Sequence, residues 1–191
     1  MKKEIVKNIF AYQEDNNIAL TSETSPPLLY KDLKALTNRI SRQLSGNDIS
    51  NKDRVAIILP NGPYMASSFL AISSYMSAAP LNPNYKADEY EFYLHDLKPK
   101  MILVEPNSSN SVVEIAKKLK IPVCEIKIKE GQPTGSFDLF NNESDYSEPE
   151  ENYEALVLHT SGTTSKPKIV PLTNKNIYSS SLNISKSLNL L

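Results

Sequence analysis

The feature that most constrains this chain is a repeated alternation between short, continuous apolar runs and longer amphipathic segments. The apolar runs occupy residues 55–59, 101–104, 122–126 and 155–159, with Glu125 and His159 as the polar exceptions. Continuous runs of this length are typical of strands buried on both faces of a sheet. Because strands separated by helices favour parallel crossover connections, the sequence predicts an α/β fold with parallel-rich sheets flanked by helices.

The helices of this fold are predicted from apolar residues spaced three or four positions apart. Ser111 with Glu114 has the spacing of a capping box ahead of one helix, and Thr173 is the predicted N-cap of the last. The predicted apolar faces comprise Leu33, Leu36, Ile40 and Leu44; Met65, Phe69, Ile72 and Met76; Tyr90, Tyr93, Leu94 and Leu97; and Ile184 and Leu188. Residues 169–170 are a candidate short strand before the last of these helices.

Residues 129–152 interrupt the alternation. They combine Gly131, Pro133 and Gly135 with five acidic side chains between residues 143 and 151. This composition predicts a solvated acidic loop or linker within the domain, with an acidic docking patch as the alternative.

Composition excludes several classes of protein. The chain has 21 Lys and Arg residues against 22 Asp and Glu, without the basic excess of a general nucleic-acid binder. Its five glycines fit neither the dinucleotide-binding fingerprint nor the Walker phosphate loop. One cysteine and two histidines are too few for a Cys/His zinc cluster, so no metal site is predicted from protein ligands.

Localisation is predicted from what the sequence lacks. No apolar stretch has the length of a membrane span or a signal peptide, and the lone Cys124 argues for a reducing compartment. We therefore expect a cytoplasmic protein, with a peroxisomal location only if a longer C-terminus carries a signal. The sequence leaves the oligomeric state open.

The segment that carries chemistry is the nine-residue run Thr-Ser-Gly-Thr-Thr-Ser-Lys-Pro-Lys at residues 160–168. Backbone N–H groups of a small-residue loop can converge on phosphate oxygens, and hydroxyls add further donors. Gly162 allows close backbone approach, while a lysine supplies compensating positive charge. The run therefore favours polyphosphate binding, with a polar turn between two strands as the simpler interpretation.

This run, with the Val-Leu-His before it and the Val-Pro-Leu-Thr that begins at Val170, resembles the phosphate-loop signature of AMP-forming adenylating enzymes. Residues 54–62, 79–85 and 91–94 resemble earlier landmarks of the same superfamily, so the resemblance covers nearly the whole chain. His159, Ser165 and the residues from Val170 to Thr173 look most like the oxalate–CoA ligase branch.

The resemblance implies an enzyme that activates a carboxylate as an acyl-adenylate with ATP, releases pyrophosphate and transfers the acyl group to CoA. By position, Thr160, Ser161, Gly162, Thr163, Thr164 and Lys168 would hold the β- and γ-phosphates together with Mg²⁺, and Ser165 belongs to the same loop. Electrostatic positioning of the leaving pyrophosphate would be their role.

The resemblance also implies that this chain is the N-terminal part of the large domain of an adenylate-forming enzyme. The family's later motifs, including the adenylation lysine, cannot be located in residues 1–191, so no catalytic residue is assigned and truncation is expected. Ser165 and Ile169 stand where glycine is usual in the family. The β-branched Ile169 favours extended backbone and disfavours positive φ.

Several alternatives remain open. The acid could be a fatty acid, 4-coumarate or an amino acid instead of oxalate. Outside catalysis, the chain could be an incomplete nucleotide-binding fragment or a sugar- or phosphate-binding α/β module. His159 is interpreted either as a contact to a substrate carboxylate or as a strand-end side chain fixed by packing. Adjacent helix residues do not face each other, so His95 and Asp96 are not expected to form a catalytic triad, and Cys124 is predicted to be core.

Overall fold

The computed structural model describes residues 3–160 and 167–190 of the 191-residue chain. The helices in these residues are α1 (Tyr30–Ser45), α2 (Pro63–Ser73), α3 (Ala87–Leu97), α4 (Val112–Leu119) and α5 (Asn174–Ser187), preceded by a 3₁₀ turn at Val6–Asn8. The strands are β1 (Ile18–Leu20), β2 (Leu28–Leu29), β3 (Arg54–Ile58), β4 (Ser77–Pro80), β5 (Met101–Val104), β6 (Val123–Glu125), β7 (Glu154–Thr160) and β8 (Lys168–Thr173).

The strands form one six-stranded sheet and one small hairpin. The large sheet has the order β6-β5-β3-β4-β7-β8. Every neighbouring pair in it is parallel except β7 with β8, while β1 and β2 pair antiparallel. The predicted α/β fold with parallel-rich sheets flanked by helices is confirmed.

Strand β3 shows why the sequence forms this layered structure. Val55 and Ile57 pack on the side of α1 and α2. Ala56 and Ile58 pack on the opposite side, against α3 and α4. Because successive side chains point to opposite faces of a strand, a continuous apolar run fits only where helices cover both faces.

Strand β4 was not predicted, and the helical face predicted to include Met76 is too long. Helix α2 ends at Ser73, and Met76 precedes a strand made of Ser77, Ala78, Ala79 and Pro80. Alanine, serine and proline are depleted in strands and show no apolar alternation, so nothing local marks this segment. Its buried alanines let helices approach both faces of the sheet centre.

The two predicted N-caps have different outcomes. Thr173 caps α5 as predicted, because its side chain accepts a hydrogen bond from the Asn176 backbone N–H. The capping box at Ser111 is wrong, because Ser111 makes no side-chain cap hydrogen bond. The Oδ1 atom of the preceding Asn110 accepts from the Val112 N–H at 2.9 Å instead.

Residues 129–152, all of which the structure describes, contain no helix or strand. Phe137 and Leu139 of this segment are buried in the core on the α1 and α2 side of the sheet. Its acidic side chains pair with cations from α1 and the N-terminus: Arg42 with Glu143 and Asp145, Lys7 with Glu148, and Lys3 with Glu150.

Helix α5 packs through Asn174 and Tyr178, whereas Ile184 and Leu188 on its predicted apolar face are exposed. Within residues 3–160 and 167–190, no helix is both long enough and apolar enough to cross a membrane.

Candidate functional site

The outer ends of β7 and β8 form the base of the candidate site. The two strands are antiparallel, and Thr160 lies directly opposite Lys168. Directly opposed residues share one face of a sheet, so the two side chains project from neighbouring positions on that face. Both residues are exposed. Two flanks of the predicted phosphate loop thus present a hydrogen-bond donor and a positive charge on the same face.

The other predicted site residues, Ser161, Gly162, Thr163, Thr164 and Ser165, lie outside the described residues. The structure defines where the chain enters this run, at Thr160, and where it leaves it, at Lys168. Ile169 occupies an extended strand position and packs on the α3 side of the sheet, in agreement with the preference of a β-branched residue.

A cavity of about 620 Å³ opens on the same face, at the carboxyl ends of the parallel strands. Leu59 follows β3, Pro80 and Leu81 end β4, and Leu158 of β7 lines the cavity two residues before Thr160. Ligands of open α/β sheets bind in the crevice outside the carboxyl ends of the strands. The position of Thr160 and Lys168 at this edge therefore suits a ligand-binding role.

His159 points to the opposite face from Thr160, since side chains alternate along a strand. Its side chain is only 6% exposed, and its Nε2 atom lies 3.1 Å from the Asp96 Oδ2 atom of α3. The ring also meets the Tyr93 ring edge-on, with 4.7 Å between centroids. This geometry favours the interpretation of His159 as a strand-end side chain fixed by packing over the interpretation as a substrate contact.

The beginning of β7 is fixed to the sheet by a bidentate ion pair. Arg54 of β3 donates from Nε and Nη2 to the two carboxylate oxygens of Glu154, at 2.7 and 2.8 Å. The hydrogen bond to Glu154 raises the pKa of Arg54 above its usual value, so the guanidinium stays charged. Planar bidentate pairs add geometric specificity as well as energy, so this contact orients β7.

The remaining titratable candidates take structural roles. Cys124 lies in the core, as predicted, and burial raises the pKa of its thiol to about 11. A thiol with that pKa is protonated at neutral pH and is a poor nucleophile. Asp96 pairs with His159, whereas His95 on the same helix is exposed.

The described residues fit a phosphate group better than a bare metal ion. Thr160 and Lys168 offer the donor and the charge that a phosphate anion needs. Residues 3–160 and 167–190 contain no cluster of three His, Cys, Asp or Glu side chains able to hold a metal ion.

The sequence did not indicate the roles of three residues near the site, which are Asp96, Tyr93 and Glu154. Asp96 is 63 positions from His159, and Arg54 is 100 positions from Glu154. No local pattern marks such pairs, because only the parallel crossover topology brings them together.

Comparisons with known proteins identify relatives of this chain. The family model of the AMP-binding enzyme matches residues 10–190. The oxalate–CoA ligase of Saccharomyces cerevisiae is 31% identical over 92% of this chain and 38% of its own length. The oxalate–CoA ligase of Arabidopsis thaliana is 39% identical over 75% of this chain and 29% of its own length.

The fold is also found in solved structures. The crystal structure of apo MatB from Rhodopseudomonas palustris superposes with a TM-score of 0.76 at 20% identity, covering 97% of this chain and 38% of that one. The chain therefore spans about a third of the length of the curated relatives and of this neighbour. The family model covers nearly every residue, including the 160–168 run that predicted it, and the chain belongs to the AMP-binding enzyme family.

Proposed function

We propose that this chain supplies the phosphate-binding part of an ATP-dependent acid–CoA ligase. In the first step a substrate carboxylate attacks the α-phosphorus of ATP, forming an acyl–phosphate bond as pyrophosphate leaves. In the second step the CoA thiol attacks the acyl carbon and AMP leaves. The family and its CoA ligase members support this reaction class.

The observation that carries the proposal is the pairing of Thr160 with Lys168 on one exposed face at the carboxyl edge of the sheet. Lys168 would neutralise charge on the β- and γ-phosphates, and Thr160 would donate a hydrogen bond. We assign the same phosphate-binding role to Ser161, Gly162, Thr163, Thr164 and Ser165 between them. This role is electrostatic positioning of the pyrophosphate leaving group, with no proton transferred by these residues.

We propose oxalate as the acid. Two relatives at 31% and 39% identity are oxalate–CoA ligases, and a relative from Xenopus laevis at 29% identity is a malonate–CoA ligase. All three names specify short dicarboxylates. A fatty-acid or 4-coumarate type ligase is the second candidate, supported by the 34% identical probable CoA ligase CCL9 of Humulus lupulus, whose name specifies no acid.

We further propose that residues 1–191 are the N-terminal portion of the large domain, with 129–152 an acidic loop inside it. The intact mass of the native gene product tests this. A species of more than twice 21.4 kDa is expected. A native product of 21.4 kDa would instead identify a catalytically incomplete, nucleotide-binding fragment.

Acid-dependent pyrophosphate release by the full-length protein tests the function directly. With ATP, Mg²⁺ and CoA present, oxalate should give the highest kcat/KM among oxalate, malonate, palmitate, 4-coumarate and the amino acids. A preference for palmitate or 4-coumarate would overturn the substrate, and release with amino acids alone would overturn the CoA ligase class.

The phosphate loop is tested by the double substitution Thr163→Ala and Thr164→Ala in the full-length protein. Each lost charge-assisted hydrogen bond is worth roughly 1.5–3 kcal/mol, so adenylation should slow by about 10-fold or more. Pyrophosphate-release kinetics provide the measurement. Thr21→Ala with Thr24→Ala, at two exposed positions outside the run, makes the same chemical change and is the control. Unchanged kinetics in the loop variant would show that the loop is misassigned.

A further inference from the structure

His159 is held on its buried face by two contacts from α3. The carboxylate of Asp96 accepts from its Nε2–H at 3.1 Å, and the Tyr93 ring makes a T-shaped contact with the imidazole at 4.7 Å between centroids. We call these three residues the histidine clamp. The clamp joins the end of β7 to a helix that lies on the other side of the sheet from α2.

The Tyr93 ring of the clamp packs in turn against further aromatic rings. Tyr93 stacks on Tyr85, with ring centroids 4.8 Å apart and planes 16° from parallel. Tyr85 meets Tyr90 edge-on, and the Tyr90 hydroxyl donates to the Asn82 carbonyl at 3.0 Å. Burial, aided by a hydrogen bond with Tyr93, raises the pKa of Tyr85 to about 12, so the Tyr85 ring stays uncharged at neutral pH. His159 therefore packs against a series of ring contacts that ends at the Asn82 backbone.

The end of β7 needs such a support. The parallel pairing of β7 with β4 is recorded at one position, Leu156 with Ala78, and β4 ends at Pro80, which has no backbone N–H to donate. From Val157 to Thr160, β8 is the strand paired with β7 among the described residues. A two-stranded ribbon twists more freely than a sheet interior, so its orientation must be set by side chains.

Because side chains alternate along a strand, fixing His159 on one face fixes the direction of Thr160 on the other. Lys168 is paired with Thr160, so a twist of the strand end that turns Thr160 also turns Lys168. We propose that His159 is a positioning residue, which together with Asp96 and Tyr93 aims Thr160 and Lys168 at a bound phosphate without touching it. This inference rests on the phosphate-binding role proposed above.

The two histidines of the chain provide a matched pair of variants. His159→Ala removes the clamp, and His95→Ala makes the same change on the exposed side of α3. Asp96→Ala removes the hydrogen bond from an exposed position and so protects the test if His159→Ala fails to fold. Asp96→Asn keeps an oxygen that accepts from Nε2–H. This variant should therefore behave nearly like the unmodified protein.

Two measurements on the full-length protein separate the outcomes. Amide hydrogen exchange near Thr160 and Lys168 should become about 10-fold faster in His159→Ala and Asp96→Ala, with exchange in β3 unchanged. The dissociation constant for inorganic pyrophosphate with Mg²⁺ should rise about 3- to 10-fold in the same two variants. It should stay at the unmodified value in His95→Ala and close to it in Asp96→Asn.

Failure of the inference and failure of the proposed function look different. If the unmodified chain binds pyrophosphate and the clamp variants bind it equally well, the positioning role of His159 is wrong. Unchanged local exchange in both clamp variants also overturns it, whatever the affinity. If the unmodified chain does not bind pyrophosphate while exchange responds as expected, the phosphate-site assignment fails and the clamp remains as the device that orients the strand end.

Discussion

Asp138 accepts hydrogen bonds from Arg39 Nε at 2.7 Å, Lys129 Nζ at 3.0 Å and Gln43 Nε2 at 3.2 Å. Partial burial raises the pKa of this carboxyl, but the hydrogen bonds from Lys129, Gln43 and Arg39 outweigh it, and the net pKa is below the usual 3.8. This ionised carboxylate thus acts together with the Arg42 ion pairs to Glu143 and Asp145 in fixing residues 129–152 to α1.

Asp138→Asn should lower the free energy of unfolding at pH 7 by about 2 kcal/mol. Hydrogen bonds to a charged group are worth roughly 1.5–3 kcal/mol each, and the asparagine amide can still make some of these hydrogen bonds. A depressed folded-state pKa stabilises the protein above the unfolded value of 3.8. This contribution is lost as the pH falls through the lower folded value.

Urea denaturation measures the free energy of unfolding of Asp138→Asn and of the unmodified protein. The difference between them should be large at pH 7 and much smaller at pH 3. Asp145→Asn is the matched control, because that side chain is 97% exposed and its pair with Arg42 should contribute less than about 1 kcal/mol. Equal losses in the two variants at pH 7 would contradict the argument.

At the scale of single elements, α5 allows the stability contributed by an N-cap residue to be measured. The Thr173 side chain accepts from the Asn176 N–H, and the Asn176 side chain accepts from the Thr173 N–H in return. Thr173→Ala should cost about 1 kcal/mol of stability, while Thr173→Ser keeps the hydroxyl and should cost only a few tenths. Thermal denaturation followed by circular dichroism compares them, and an alanine variant as stable as the serine variant would exclude a contribution from the cap.

Most elements of the large sheet could be predicted from the sequence, because their signals are local. The continuous apolar runs at β3, β5, β6 and β7 and the periodic faces of α1 and α3 each indicate an element without knowledge of its neighbours. β4 gives no such signal, since Ala78 and Ala79 are selected by the tight packing on both sides of them. β1 and β2 are too short, at three and two residues, for any periodic pattern.

The candidate site was predictable only along one stretch of chain. Residues 160–168 are contiguous, so their order alone indicates phosphate binding. The contacts that orient the stretch are not contiguous, and neither Asp96 nor Arg54 lies near it in sequence. For His159 the sequence left two interpretations, and the side-chain alternation in β7 separates them.

For the whole molecule, Asn174 joins segments that lie far apart in the sequence. It is 1% exposed, its Oδ1 accepts from the Val6 N–H at 3.0 Å, and its Nδ2 donates to the carbonyls of Glu150 and Tyr153. Both polar atoms of this buried amide therefore have partners. Through it the N-terminal 3₁₀ turn, residues 150–153 and α5 meet at one side chain.

Asn174→Ala should lower the free energy of unfolding by about 3 kcal/mol, because the Val6 N–H loses its partner in a buried place. Limited trypsin digestion should also cut faster at Lys7, whose segment is released, than in the unmodified chain. Asn183→Ala, an exposed position on the same helix, is the control and should change neither measurement. Loss of stability without faster cleavage at Lys7 would mean that other contacts hold the N-terminus.

The bond between Val6 and Asn174 spans 168 positions and so has a consequence for synthesis of the protein. Ribosomes add roughly 5–20 residues per second, so the first turn waits about 8–34 s for its partner to be made. During that interval Ile5 and Val6, both buried in the finished protein, lack the contacts between their turn and α5, whereas Phe10 can already pack on Leu28 and Leu33. Nascent chains stalled before residue 174 should accordingly leave Ile5 and Val6 more accessible than Phe10 to chaperones that recognise apolar N-terminal segments.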